Sequence, residues 1–123
     1  MTQPVSSTDQ VATQTVASAP AHSDFTQLGL IPELLETLKL LSYTKPTPIQ
    51  SHIIPAVLGG KDVLGGAKTG SGKTAAFALP IIQKLAKTSP SKAGSNFVSC
   101  LVLVPTRELA QQVSDSFMRY SQL

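Results

Sequence analysis

The stretch from Gly65 to Phe77 has the sequence GGAKTGSGKTAAF, in which glycines, a Lys-Thr pair and an apolar run follow one another. Gly70 and Gly72 permit backbone angles that other residues avoid, and they let backbone amides approach phosphate oxygens. Lys73 would place an ammonium group on the β- and γ-phosphates of a nucleotide, and Thr74 would offer a hydroxyl to Mg²⁺. The pattern therefore predicts a site for a nucleoside triphosphate.

The predicted phosphate loop lies between a short predicted strand, Asp62–Leu64, and a predicted helix, Lys73–Ala86. A strand before the loop and a helix after it are the context in which such a match is specific. The alternative is a glycine-rich connection that binds nothing, and the loop by itself does not identify the nucleotide or the reaction. The residues expected to surround the phosphates are Ala67, Lys68, Thr69, Gly70, Ser71, Gly72, Lys73 and Thr74.

Three further helices and a second strand are expected around this loop. Apolar residues at three- and four-residue spacing predict helices from about Ile31 to Ser42 and from Pro48 to Leu58, and another helix begins near Glu108. Phe97–Val104 is nearly continuously apolar and β-branched, which is typical of a strand covered on both faces. A polar loop over 88–96 precedes it. Strand, helix and strand together predict a right-handed βαβ unit and an α/β fold.

Two strands are too few to bury the apolar faces of a parallel sheet that is covered by helices on both sides. We therefore expect an incomplete three-layer sheet in residues 25–123, the amino-terminal portion of a domain whose remainder would follow Leu123. In this sheet Cys100, the single cysteine, is expected to be a small buried residue.

Residues 1–24 form a separate segment that contains no Lys, Arg or aromatic residue. Such a composition does not bury enough apolar surface to order the chain, so we expect a disordered tail. No secretory signal or membrane-spanning run is recognisable, which favours a cytoplasmic protein.

Two of the seven acidic residues, Asp9 and Asp24, lie in the tail, whereas all ten Lys and Arg residues follow it. The basic body suits a polyanionic partner, although ordinary surface charge explains it equally well.

Two more motifs flank the loop. KPTPIQ occupies Lys45–Gln50 with an isolated aromatic residue, Phe25, upstream, and PTRELA occupies Pro105–Ala110 directly after the second predicted strand. Together with the loop, these blocks resemble the Q motif, motif I and motif Ia of the DEAD-box RNA helicases. The resemblance covers 24–123 and implies the amino-terminal part of a first RecA-like domain. Alanine is usual in that family at the position of Ala67.

The resemblance implies ATP, Mg²⁺ and RNA as ligands. Gln50 would recognise adenine through its amide, Phe25 would stack on the base, and Lys45 would contact the nucleotide, which together select ATP over GTP. Lys73 and Thr74 would take part in catalysis. Phe25 could instead be a core residue, and Arg107 could belong to a solvated helix start. The residues implied to hold the backbone of single-stranded RNA are Pro105, Thr106 and Arg107.

The chain departs from the family pattern in two respects. Ser42 stands where the family usually has glycine, so we expect the preceding helix to lack its left-handed cap. The acidic DEAD motif and the second RecA-like domain are not found, and neither Asp62, Glu108 nor Asp115 matches that motif. We therefore expect an ATP-binding fragment of an RNA helicase that is inactive alone. The alternatives are a non-catalytic nucleotide- or RNA-binding remnant and, less consistent with the flanking motifs, a small P-loop kinase.

Overall fold

The computed structural model describes residues 22–88 and 98–123, where a 3₁₀ helix precedes a set of α-helices. None of these helices has the length and apolar character required to cross a bilayer. The predicted tail up to residue 21 and the predicted loop over 89–96 lie outside the described residues. The 3₁₀ helix spans Phe25–Leu28, and the α-helices are α1 (Pro32–Leu40), α2 (Pro48–Leu58), α3 (Lys73–Ala86) and α4 (Arg107–Tyr120).

Helix α1 ends in a left-handed turn at Ser42, which has φ 62°. The Tyr43 amide donates to the Leu38 carbonyl at 2.8 Å and the Ser42 amide donates to the Lys39 carbonyl at 3.0 Å, the paired bonds of a Schellman cap. The prediction that serine would remove this cap is wrong. Serine adopts the conformation at a cost of about 1–2 kcal/mol relative to glycine, because its Cβ crowds the next carbonyl.

Helix α2 begins with a capping box and packs against α3. Thr47 is the N-cap, Pro48 occupies the first helical position and Gln50 completes the box from the third position. Pro55 lies in the last turn, and Gly59 caps the end. The bounds of α2 and α3 agree with those expected from the sequence, because both helices carry their start and stop signals locally.

The core forms where small residues of α3 allow α2 to approach closely. Ala75, Ala76 and Ala78 are buried beside Leu79, and Ile54 of α2 is fully buried opposite them. The 3₁₀ helix and α1 cover the same cluster with large apolar side chains. The buried members that close the core are Phe25, Leu28, Leu30, Leu34, Leu38 and Tyr120.

Helix α4 attaches to the other helices mainly through its last turns. The hydroxyls of Tyr120 and Tyr43 lie 3.1 Å apart, and the two rings meet edge to face with centroids 6.1 Å apart. Burial and this hydrogen bond raise the pKa of the Tyr120 phenol above its ordinary value. Phe117 packs against Phe77 of α3 with ring centroids 6.1 Å apart.

The two predicted strands do not form in the described part of the chain. Residues 61–68 and 98–104 carry no regular secondary structure, so the incomplete parallel sheet and the βαβ unit are not present here. A strand exists only through hydrogen bonds to a neighbour, and no such bonds join these two segments. Large apolar side chains of both segments lie in solvent, with Leu64 87% and Leu103 84% exposed. The prediction that Cys100 is buried is also wrong, since it is exposed in the same uncovered segment.

Candidate functional site

The loop between Gly65 and α3 has the backbone geometry that phosphate binding requires. Gly70 and Gly72 adopt left-handed conformations with φ 81° and 80°, which explains why both positions need glycine. Gly72 is the N-cap of α3, so the unpaired amides and the positive end of that helix lie at the loop. A hydrogen bond from the Ser71 amide to the Lys68 carbonyl, 3.2 Å long, closes the turn between them.

Lys73 folds back onto the loop that precedes it. Its Nζ donates to the carbonyl oxygen of Ala67 at 2.5 Å, while the residue as a whole is exposed. The ammonium is thus held at the same loop, where the amides of Gly70, Gly72 and Lys73 make no backbone hydrogen bond within the described residues. Exchanging one carbonyl oxygen for phosphate oxygens would require only a rotation of this flexible, solvent-accessible side chain.

Two observations indicate that this loop has room and unused polar capacity. A Cβ atom built on Gly66 or Gly70 would meet no atom within 4 Å, so space lies open beside both residues. The Ser71 hydroxyl oxygen is buried and has no hydrogen-bond partner, which is costly unless a ligand or water satisfies it. Lys68 and Thr69 are exposed at the tip of the loop. These features fit a bound phosphate chain.

Gln50 connects the upstream KPTPIQ block to the loop by direct contact. Its side chain is 1% exposed; Oε1 accepts from the Thr47 amide at 2.9 Å, and Nε2 donates to the Gly72 carbonyl at 3.2 Å. A primary amide has a second N–H and a second acceptor lone pair, so it keeps capacity for one further donor and one further acceptor contact. Recognition of adenine by Gln50 remains a prediction.

Phe25 and Lys45 lie in different surroundings. Phe25 is 3% exposed and belongs to the hydrophobic core cluster, which accords with the alternative of a core residue. Lys45 is exposed in the connection between α1 and α2, two residues before the cap of α2. Neither the stacking role of Phe25 nor the nucleotide contact of Lys45 is tested by this arrangement, and both stay predictions.

The PTRELA block begins α4. Thr106 is its N-cap and accepts from the Leu109 amide at 3.2 Å, while Pro105, Arg107 and Glu108 are exposed. The acidic Glu108 in the first turn complements the helix dipole. None of the hydrogen bonds found in residues 22–88 and 98–123 joins this block to the glycine-rich loop. Arg107 therefore presents its guanidinium to solvent as a separate surface feature.

The metal role predicted for Thr74 depends on the loop alone. Thr74 is half-buried in the first turn of α3, beside Lys73. Across the described ranges, no three acidic, histidine or cysteine side chains cluster to hold a metal ion by themselves. Asp62 is exposed, and Asp115 accepts a hydrogen bond from Gln111 at 2.8 Å. A hydroxyl next to a phosphate loop suits Mg²⁺ that is shared with a nucleotide, because Mg²⁺ usually combines few protein ligands with phosphates and water.

The sequence analysis did not predict a role for Gln83, a residue of α3 that is only 2% exposed. Its Oε1 accepts from the Ile31 amide at 2.7 Å, and its Nε2 donates to the Gly29 carbonyl at 2.9 Å. One signal could have identified it. Gln83 follows Leu79 by four residues and Ala76 by seven, so a polar amide occupies the apolar face of a helix and requires partners there.

The chain is similar to known proteins along most of its described length. The family model of the DEAD/DEAH box helicases matches residues 47–123. The ATP-dependent rRNA helicase RRP3 of Meyerozyma guilliermondii is 51% identical over 111 residues, 89% of this chain and 22% of that protein. The ATP-dependent RNA helicase DBP9 of Pyricularia oryzae is 49% identical over 112 residues, 90% of this chain and 18% of that protein. The chain thus spans about a fifth of the length of these relatives.

Solved helicase structures resemble the fold. The RNA helicase Prp28 from Chaetomium thermophilum, bound to ADP, has a TM-score of 0.73 at 38% identity and is matched over 85% of this chain and 26% of its own. A Dbp5 variant of S. cerevisiae, bound to RNA and ADP BeF3, has a TM-score of 0.69 at 31% identity over 82% of this chain and 25% of its own. The glycine-rich loop, α2 and α3 lie within the segment that the family model covers.

Proposed function

This chain belongs to the DEAD/DEAH box helicase family, and we propose from that membership that it is the ATP-binding part of an ATP-dependent RNA helicase. The observation that carries the proposal is the hydrogen bond from Gln50 to the Gly72 carbonyl. It joins the residue proposed to select the base to the residue that begins the phosphate-binding helix. The same amide keeps one N–H and one lone pair for a base.

Phosphate binding falls to the loop and to the first turn of α3. The backbone amides of Gly70, Gly72 and Lys73 would donate to phosphate oxygens, and the Lys73 ammonium would leave the Ala67 carbonyl for the β- and γ-phosphates. The Ser71 hydroxyl, which has no partner in the structure, is available for another oxygen. Thr74 would hold Mg²⁺, which when bound supplies charge neutralisation to the phosphates.

Base recognition falls to Gln50, with Phe25 and Lys45 as further proposed contacts. Adenine presents an adjacent donor and acceptor that an amide can pair with bidentately, whereas guanine presents two acceptors on the corresponding edge. The free N–H and free lone pair of the Gln50 amide match adenine in number and type.

Replacing Gln50 with alanine is expected to reduce the preference for ATP over GTP by about tenfold, because one bidentate pair contributes about 1–3 kcal/mol of discrimination. Competition of both nucleotides against a fluorescent ATP analogue measures the ratio of dissociation constants. The ratio is decisive because loss of the Thr47 and Gly72 contacts weakens both nucleotides alike. Gln112→Ala, at an exposed position of α4, is the control. An unchanged ratio in Gln50→Ala would remove Gln50 from base recognition.

RNA contact falls to the start of α4. Pro105, Thr106 and Arg107 are exposed, the helix amino terminus attracts phosphate, and the Arg107 guanidinium can pair with it bidentately. Contacts to the RNA backbone give affinity without sequence selection.

A cytoplasmic location, favoured by the sequence, remains a prediction.

Separation of a short RNA duplex by the protein as the source cell makes it tests this proposed function. We expect strand separation that requires ATP, and we expect Arg107→Ala to weaken single-stranded RNA binding and to lower the slope of log affinity against log salt by about 0.7, the effect of one phosphate contact. Arg119→Ala, at the opposite end of α4, is the charge-matched control. Binding of ATP and RNA without strand separation would favour a non-catalytic binding module instead.

A further inference from the structure

Gln83 makes two hydrogen bonds that cross between elements far apart in the chain. Ile31 and Gly29, its partners, precede it by 52 and 54 residues. The side chain is 2% exposed, so both bonds are shielded from water. Gln83 lies on α3, about 15 Å along the helix axis from Lys73 at 1.5 Å per residue.

The two partners of Gln83 control how one helix ends and the next begins. Gly29 caps the 3₁₀ helix Phe25–Leu28 in a left-handed conformation with φ 88°, and Ile31 is the N-cap of α1. A 3₁₀ helix of four residues has little stability of its own. Its position therefore depends on the burial of Phe25 and Leu28 and on this pair of hydrogen bonds.

A second buried glutamine holds the opposite end of α3. Gln50 bonds to Gly72 at the helix start, and Gln83 bonds to Gly29 and Ile31 near the helix end. Each amide uses one acceptor and one donor contact to its surroundings. The helix that begins at the phosphate loop is thereby fastened to α2 at one end and to the segment that carries Phe25 at the other.

We propose that Gln83 is a positioning residue that fastens the Phe25–Ile31 segment to the phosphate-binding helix and so sets the base end of the nucleotide site. The inference rests on the proposed function, because it assigns that segment to the base rather than to the phosphates. Of the hydrogen bonds in the described residues, none joins this segment to the loop 65–72. Loss of Gln83 should therefore weaken base-dependent affinity and spare phosphate affinity.

Titration of Mg·ADP and of Mg·tripolyphosphate into the Gln83→Met variant tests the proposal. Methionine preserves the length and bulk of the side chain but removes both hydrogen bonds. We expect ADP to bind about tenfold more weakly, the scale of one lost base contact, and tripolyphosphate to bind within about twofold of the unsubstituted protein. Gln27→Met, at an exposed position of the 3₁₀ helix, is the matched control and should change neither.

The alternative is that Gln83 only satisfies polar groups inside the core. In that case the variant lowers the melting temperature but shifts ADP and tripolyphosphate affinity equally, or shifts neither, and either result overturns the proposal. Failure of the unsubstituted protein to bind ADP would instead remove the proposed function, and this inference with it.

Hydrogen exchange on the unsubstituted protein covers the case in which Gln83→Met does not fold. ADP should slow hydrogen exchange of the amides of residues 25–31, including the Ile31 amide, which donates to Gln83 Oε1. Tripolyphosphate should leave these exchange rates unchanged. Equal protection by both ligands, or protection by neither, would contradict the assignment of this segment to the base.

Discussion

Replacing Lys73 with alanine abolishes ATP binding if the glycine-rich loop binds the phosphates. The side chain would contribute a charge-assisted contact to each of two phosphates, each contributing about 1.5–3 kcal/mol, so we expect affinity to fall at least about 100-fold. Calorimetric titration of Mg·ATP into the variant measures the loss. Because Lys73 is exposed and bonds only to the Ala67 carbonyl, the substitution should leave the melting temperature nearly unchanged.

Lys84→Ala is the matched control for this experiment. Lys84 is exposed in the last turn of the same helix and carries the same charge, far from the loop. Its loss should leave ATP affinity within about twofold, since an exposed charge at that distance is largely screened at physiological ionic strength. If Lys73→Ala and the unsubstituted protein bound ATP with equal affinity, the loop would not be the phosphate-binding site.

Gly72→Ala is the second substitution with a large expected effect, and it acts on both the fold and the site. A Cβ atom at Gly72 would come too close to Gln50 Nε2 and would lie 3.4 Å from Thr47 Oγ1, and the backbone φ of 80° is unfavourable for alanine. Strain and crowding together should cost about 2–4 kcal/mol of folding free energy. Gln50 could yield only by breaking its bond to the Gly72 carbonyl, so ATP affinity should fall as well.

Thermal unfolding and ATP titration of Gly66→Ala provide the comparison. Gly66 lies in the same loop, but a Cβ there meets nothing within 4 Å and its φ is not in the left-handed region. Gly66→Ala should therefore change stability by less than about 1 kcal/mol. If Gly72→Ala were as mild as Gly66→Ala in both measurements, the close packing of Gln50 against Gly72 would not exist in solution.

The helices of the site could be predicted because their signals are local. Thr47, Pro48 and Gln50 specify the start of α2 through a cap, a first-turn proline and a capping box. The two glycines of the loop specify the entry to α3 through backbone angles that other residues avoid. Ser42 shows the limit of such rules, since it forms a left-handed cap that residue preference alone disfavours.

The sheet could not be judged from the sequence because a strand depends on distant partners. Val98–Val104 has the apolar, β-branched composition of a buried strand, yet in the described residues it pairs with nothing and Leu101, Leu103 and Cys100 are exposed. Apolar composition shows only that a segment has side chains suited to burial. It does not supply the neighbouring strands that would bury it.

The two buried glutamines, Gln50 and Gln83, show which parts of the candidate site can be predicted from the sequence and which cannot. The motif around Gln50 predicts it as a site residue, but its bond to Gly72 depends on how α2 and α3 pack together. Gln83 belongs to no motif in the sequence, and its partners Gly29 and Ile31 are more than 50 residues away. Side-chain contacts over such separations follow from packing, which local patterns do not encode.

Titration of Mg·ATP and Mg·GTP into the unsubstituted protein, in the form in which the source cell makes it, tests the central claim most directly. The claim is that this chain holds a triphosphate in the loop 65–74 and selects adenine through Gln50. We expect saturable binding of ATP with one site per chain and at least about tenfold weaker binding of GTP. Absence of ATP binding would contradict the phosphate site, and equal binding of the two nucleotides would contradict the selection of adenine.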